Sequence, residues 1–370
     1  MTETKRRDWI ALSQAHRIGP SLFWHLVDRF GSPTAVLEAS QRELQLVRGL
    51  GAARLAGLAR KEQLRSSADD ELIRLERFGG QAILYGEACY PELLRQTAQP
   101  PPVLYACGRS ELLAEVSVGV VGSRAATSYG RRVSHKLGKD FARAGVCVVS
   151  GLAVGIDAEA HSGCMEGGGA TIGVLGCGLD VVYPWKNHGL YKRIRSEGLL
   201  VSEYPLGTNP EGFRFPARNR IIAGLSLGIV VVEASKKSGS LITVQYALEE
   251  GREVFAVPGQ IDSARSAGAH WLVQQGASLI VSADDVLEHL SAPSSAARTS
   301  FSGRAMLPKL DLDSALLLPI IEPYPQNRSE LQHRSGLTLQ QLQTALLTLE
   351  LNGLVELMPG DEVRRTIELK

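Results

Sequence analysis

From residue 82 to residue 281 the 370-residue chain repeats one pattern: a short run rich in Val and Ile, a turn of small residues, then a helical segment. The runs are Ala82–Leu84, Val116–Val121, Val146–Val149, Thr171–Leu175, Leu199–Val201, Gly228–Val232, Glu253–Val257 and Ser278–Val281. Strands apolar on both faces belong to a parallel sheet covered by helices on each side. The pattern therefore predicts an α/β fold with a doubly wound sheet built from these runs as parallel strands. On such sheets ligands sit beyond the carboxyl ends of the strands, where strand order reverses. The turn at the end of each run is therefore the place to seek chemistry.

After Val116–Val121 comes Gly122-Ser123-Arg124. A glycine admits an oxyanion close to backbone, and a hydroxyl with a planar guanidinium suits phosphate. The next helix starts near Ser128, so its N-terminal dipole is expected to add to the same pocket. The segment is not a dinucleotide fingerprint: Gly-x-Gly-x-x-Gly is incomplete, and no acid ends the following strand. The helix carries Arg131, Arg132, Lys136, Lys139 and Arg143, either as a solvated face or as a phosphate-tracking stripe. After Val146–Val149 comes Ser150-Gly151, then Gly155, Asp157 and His161. Two such turns on adjacent strands would form one concave anion site. Asp157 and His161 share a helix face; either Asp157 holds the turn with His161 packed beneath it, or the two form an acid/base pair.

After Leu199–Val201 the segment Phe213–Arg220 reads as a loop ahead of an apolar helix, interleaving Arg214, Arg218, Arg220 and Asn219 with Phe213 and Phe215. Arginines clamp successive phosphates and a phenylalanine stacks a base, which sequence-tolerant single-strand binding requires. The alternative is a structural loop in which Asn219 satisfies backbone. Ser238-Gly239-Ser240 and Val257-Pro258-Gly259 are further small-residue turns after the next two runs.

The flanks differ in kind. Residues 1–66 read as a helical domain, with helices over Asp8–His16, Ser21–Phe30 and Ser40–Leu46. Val47–Leu58 resembles a helix-hairpin-helix element, in which Gly49 and Gly51 would permit a tight turn that offers N–H groups to a phosphate; a plain turn between packed helices is the alternative. Residues 291–310 are rich in Ser, Ala and Pro and read as a flexible linker after the 67–290 domain. Residues 311–370 read as a winged helix: helices over Asp313–Ile321, Ser329–Arg334 and Thr338–Asn352, then a β-wing. The third helix has no Lys or Arg, so a protein-contact or accessory role is expected rather than groove reading.

Five segments together resemble the DNA-processing protein A family (DprA, also called Smf): Gly122–Arg124, Ser150–Asp157, Phe215–Ser226, Ser238–Thr243 and Phe255–Gly259. The resemblance covers roughly residues 82–290 and implies an extended Rossmann-like domain that binds single-stranded DNA, forms a homodimer through that domain and loads RecA recombinase during natural transformation. Carried over by motif, the phosphate pocket would comprise Gly122, Ser123, Arg124, Ser150, Gly151, Arg218 and Asn219, with Lys186 near the Tyr183-Pro184 turn. The N-terminus is similar to the sterile-alpha-motif or hairpin domain of the family, and the C-terminus to its winged helix.

The formal charge of +1 excludes a generic basic DNA binder. Arg124 and the 214–220 cations would have to act locally. Five scattered cysteines suit a reducing, cytoplasmic setting without a disulfide frame or zinc site, and no apolar run reaches the roughly 18 residues of a membrane span. No catalytic residue or cofactor is expected. Two other readings stay open. One is a nucleotide-binding sensor with the winged helix as output. The other is a phosphoribohydrolase-like enzyme, against which Tyr246 stands where such a motif places a glutamate.

Overall fold

The structure is a computed structural model, and it describes residues 3–291, 311–321, 326–351, 354–358 and 362–365. The expected linker, 292–310 in large part, and the tip of the wing lie outside these residues. The chain divides into two compact units, Met1–Pro293 and Ser294–Lys370.

The first unit is organised on a nine-stranded sheet. Its strands are β1 (Gly80–Leu84), β2 (Val103–Gly108), β3 (Ser117–Val121), β4 (Cys147–Ser150), β5 (Thr171–Leu175), β6 (Leu199–Ser202), β7 (Gly228–Val231), β8 (Glu253–Ala256) and β9 (Ser278–Leu279). Their order is β1-β2-β6-β5-β4-β3-β7-β8-β9. The seven strands from β6 to β9 are mutually parallel, and β3 to β7 are buried along their whole length, as unbroken Val/Ile runs require. The chain winds from β3 out to β6, then returns to β7 on the other side of β3. The strand order thus reverses at β3, between β4 and β7.

One expectation is corrected at the other edge, and one strand is added. Ala82–Leu84 is not a parallel strand: β1 pairs antiparallel with β2, and β2 antiparallel with β6. The strand β2 was missed because its short apolar run comes after three prolines, Pro100–Pro102, which read as loop. An antiparallel pair needs no crossover helix, so the strand–turn–helix rhythm is absent there.

Fourteen helices accompany this sheet among the described residues: α1 (Glu3–Ser13), α2 (Pro20–Phe30), α3 (Pro33–Glu38), α4 (Gln41–Gln45), α5 (Ala52–Leu58), α6 (Lys61–Phe78), α7 (Glu92–Arg95), α8 (Ser128–Arg143), α9 (Ile156–Glu166), α10 (His188–Glu197), α11 (Arg214–Leu225), α12 (Ser240–Glu249), α13 (Ala267–Gln274) and α14 (Ala283–Ser291). The boundary drawn at 66/67 falls inside α6, whose buried residues Arg65, Ala68, Glu71 and Leu75 form one continuous face. Arg65 is held by the fully buried Asp8 of α1, Nε to Oδ1 at 2.8 Å. The N-terminal helices share a core with the antiparallel edge: Ile10, Phe23, Leu26 and Leu75 cluster with Leu84, Tyr105 and Leu200. Gln14 Nε2 donates to the Tyr105 hydroxyl at 3.0 Å, closing the same contact.

The second unit contains α15 (Leu312–Leu317), a 3₁₀ turn at Leu318–Ile320, β10 (Gln326–Asn327), α16 (Arg328–Ser335), α17 (Leu339–Leu351), β11 (Val355–Met358) and β12 (Glu362–Arg365). The strands form an antiparallel sheet in the order β10-β12-β11. Its core of Leu317, Leu331, Leu342, Leu346, Leu349, Val355 and Val363 joins all three helices to the wing.

Candidate nucleic-acid interface

At the reversal point the segments after β3, β4, β5 and β7 converge. Each folds as it does for a local reason. The turn after β4 passes Leu152 in the left-handed region at φ 54, unusual for a leucine. Its carbonyl accepts from Asn187 Nδ2 at 2.8 Å, which ties the turn to the segment bearing Lys186. Gly155, at φ 87, comes so close to the preceding turn that a Cβ would lie 2.3 Å from the Ser123 carbonyl oxygen. A side chain there would push the two turns apart.

The expected anion cradle is occupied by the protein's own carboxylates. Asp157 accepts from the amides of Gly151 at 3.1 Å and Ala153 at 3.4 Å. Glu233, buried in the turn after β7, accepts from the amide of Thr127 at 2.9 Å and from its hydroxyl. Thr127 Oγ1 in turn accepts from the amide of Gly130, capping α8. The positive end of α8 is thus met by Glu233, and the expectation that its dipole serves the pocket is corrected. An internal carboxylate at that helix end takes the place an external anion would occupy.

The 214–220 segment is likewise not a loop. It forms the first two turns of α11, with Pro216 in the opening turn, where a missing N–H is tolerated. Helical spacing then separates residues the sequence had grouped. Arg218 is buried, 4% exposed. Its Nη1 donates to the carbonyls of Gly151, at 2.9 Å, and Val174. Its Nε donates to Asn219 Oδ1 at 3.2 Å. Burial lowers its pKa to about 10, against the opposing pull of Asp157. Burial also raises the Asp157 carboxyl, although Arg218 and the Gly151 and Ala153 amides pull the other way. Arg220 points elsewhere, pairing with Glu203 and donating to the Gln99 carbonyl at 2.7 Å. Arg214 is held by Glu211 at 3.3 Å and the Asn209 carbonyl at 3.2 Å, over the ring of Tyr204. Asn219 Nδ2 donates to the Gly239 carbonyl at 3.4 Å. Ser150 is fully buried, its hydroxyl donating to the Val120 carbonyl at 2.6 Å. His161 packs beneath, Nδ1 on the Thr171 hydroxyl at 2.7 Å; burial and the nearby Arg218 charge depress its pKa to about 3.

What remains open to solvent is a different subset. Arg124 is exposed and lies over the Phe215 ring at 5.6 Å. Phe215 stacks on Tyr183, centroids 5.2 Å apart at 28°. Next along the chain Trp185, 72% exposed, packs against His188, and Lys186 is exposed beside it. Phe213, 67% exposed, extends the aromatic rim. Ser123, partly exposed, sits beside Arg124, its hydroxyl accepting from the Ala125 amide at 3.2 Å. Gly122 is fixed in the floor, where a Cβ would lie 2.7 Å from Ile156. Sequence reasoning missed Trp185, the Tyr183 ring, Glu233, and the exposed Lys236 and Lys237 of the turn after β7. A tryptophan next to the singled-out Lys186 was the available signal. No group of three or more metal-ligating side chains occurs among the described residues, and no helix among them is long and apolar enough to cross a membrane.

The sequence model described as DNA recombination-mediator protein A matches residues 81–291. A DprA winged helix domain model matches 304–361, and a DprA-like N-terminal HHH domain model matches 3–40, ahead of the hairpin read at 47–58. Protein Smf of Synechocystis is 34% identical, the match covering 99% of this chain and all of that protein. DNA processing protein DprA of Bacillus subtilis is 46% identical over 54% of this chain and 68% of its own. The crystal structure of DNA processing protein A from Streptococcus pneumoniae superposes with TM-score 0.68 at 35% identity, covering 76% of this chain and 97% of that one. A Helicobacter pylori DNA processing protein A structure, described for its single-stranded DNA binding mode, gives TM-score 0.52 at 29% identity over 57% and 95%.

Proposed function

Because the chain belongs to the DNA recombination-mediator protein A family, we propose that it binds single-stranded DNA at the strand-order reversal, without sequence preference, and hands that strand to RecA recombinase during transformation. The observation that carries this is the pairing of an exposed cation with an aromatic surface. Arg124 lies over Phe215, which stacks on Tyr183, with Trp185 and Lys186 alongside. Cations meet phosphates, and ring faces accept any base. The buried Arg218, Ser150 and Gly151 act as the frame of this surface rather than its contacts.

The family resemblance further supports a homodimer through the first unit, protection of the bound strand and action inside the cytoplasm, with no catalytic step. The decisive measurement is titration of single- and double-stranded oligonucleotides at fixed salt against the wild type and Arg124→Ala. Loss of single-strand affinity in the folded variant is expected; equal affinity would remove the proposed surface. Sedimentation at micromolar concentration tests the dimer, and a monomer would refute it. Release of base from nucleoside monophosphates would favour a phosphoribohydrolase instead.

A further inference from the structure

A second basic feature lies away from the crevice. A cavity of about 540 Å³ opens between the α1–α2 and α4–α5 turns. Its lining includes Arg17 from the first turn, Arg48 and Gly49 from the second, His25 of α2, Arg54 of α5 and Gln99 from the segment ahead of β2. No carboxylate lines it. Among the described residues, no carboxylate lies within 4 Å of Arg17, Arg48 or Arg54, whereas Arg6, Arg7, Lys61, Arg65 and Arg74 of the same region each meet one. Three arginines thus gather around one cavity whose lining carries no carboxylate.

The arrangement is built. Arg54 Nε donates to the Arg17 carbonyl at 3.0 Å, and its Nη1 to the Gly49 carbonyl at 2.5 Å. One guanidinium thus ties both turns, each in left-handed backbone, φ 60 at Arg17 and 96 at Gly49. The Arg17 and Arg48 side chains remain exposed at the rim. Mutual repulsion of such charges costs free energy unless an anion joins them. Gln99, at the edge of the cavity, is tied to α11: its carbonyl accepts from Arg220 of that helix.

We propose that this cavity is a second phosphate site, in which Arg17 and Arg48 grip the backbone of a nucleic-acid strand that extends beyond the crevice, while Arg54 fixes the two turns. The inference rests on the reading that the protein binds a DNA strand, and its test separates the two. The variant is Arg17→Asn with Arg48→Ala, asparagine being chosen because it tolerates left-handed backbone; Arg48→Ala alone serves as the second variant, since Arg48 is exposed. Full-length wild type, both variants and Arg124→Ala are titrated with single-stranded oligonucleotides of about 6 and about 30 nucleotides at several salt concentrations.

The double variant should bind the short strand as the wild type does and the long strand several-fold more weakly. Its salt slope on the long strand should fall by about 0.7 for each phosphate no longer met. Unchanged long-strand affinity and slope in both variants overturn the inference and leave the crevice reading standing. An equal loss on both lengths also overturns it, since the effect would then be indirect. Loss in the double variant with Arg124→Ala unaffected supports the cavity and refutes the crevice. Failure of the wild type to bind either strand refutes both.

Discussion

Replacing Arg218 by leucine isolates the frame from the binding surface. The guanidinium is 4% exposed and bridges the carbonyls of Gly151 and Val174, with the buried Asp157 close by. Leucine fills part of the volume but leaves two carbonyls bare and the Asp157 charge without its neighbour. Each buried acceptor left unsatisfied costs about 1–3 kcal/mol, and the substitution leaves two of them. Asp157 limits the total by taking up a proton, so a loss of about 4 kcal/mol is expected. With a urea m-value of about 3 kcal/mol/M, this shifts the midpoint down by roughly 1.3 M. The assay can be confined to the right unit: all four tryptophans, Trp9, Trp24, Trp185 and Trp271, lie before residue 293, so their emission follows the first unit. Arg124→Ala, at an exposed site, should move the midpoint by less than about 0.5 kcal/mol equivalent. Adding Asp157→Asn to Arg218→Leu should recover part of the loss. A midpoint for Arg218→Leu equal to wild type would refute the claim that this guanidinium braces the turns.

Trp185→Ala should weaken single-strand binding by about 1–3 kcal/mol if a base stacks there, with the urea midpoint unmoved; undiminished affinity would exclude the ring from the interface. Gly155→Ala combines a left-handed backbone with a Cβ 2.3 Å from the Ser123 carbonyl, so both stability and affinity should drop, and a variant matching wild type in thermal midpoint would contradict that packing. His161 gives a pH dependence. Its folded pKa, about 3, lies below the ordinary 6.5, so the stability it contributes is complete above about pH 6.5 and is lost as pH falls toward 3, by up to roughly 5 kcal/mol. Asp157, whose carboxyl is raised by burial, works in the opposite direction on acidification and offsets part of this. Urea midpoints measured from pH 7 to 4 should fall for wild type and flatten in His161→Phe; parallel profiles would dismiss the imidazole as the source.

Much of the architecture was readable because its signals are local. Runs such as Val118–Val121 and Val146–Val149 carry their burial on both faces in their composition, and the helices that cover them come directly after. The antiparallel edge was not readable, since β2 is defined by partners, β1 and β6, distant in sequence. Within the site, Gly122, Ser123, Arg124, Phe215, Asn219 and Lys186 do come to the reversal point. Arg218 and Ser150 come there as buried struts. Arg214 and Arg220 are turned to Glu211 and Glu203. Whether an arginine faces solvent or a carboxylate depends on helical phase and on partners from other elements, and neither is written in a seven-residue window.

The sequence by itself determined the strand–turn–helix rhythm and the small-residue turns at the strand ends, because glycine freedom and apolar burial act on neighbours along the chain. Only the tertiary structure decided which cations are available. Asp157 and Glu233 reach across to occupy the amides that seemed open to a ligand, and Glu203 draws Arg220 aside. The near-neutral total charge conceals this sorting. In a low-dielectric interior each buried charge must find its counterpart, and Arg124, Lys186, Arg17 and Arg48 are cations that no carboxylate among the described residues meets.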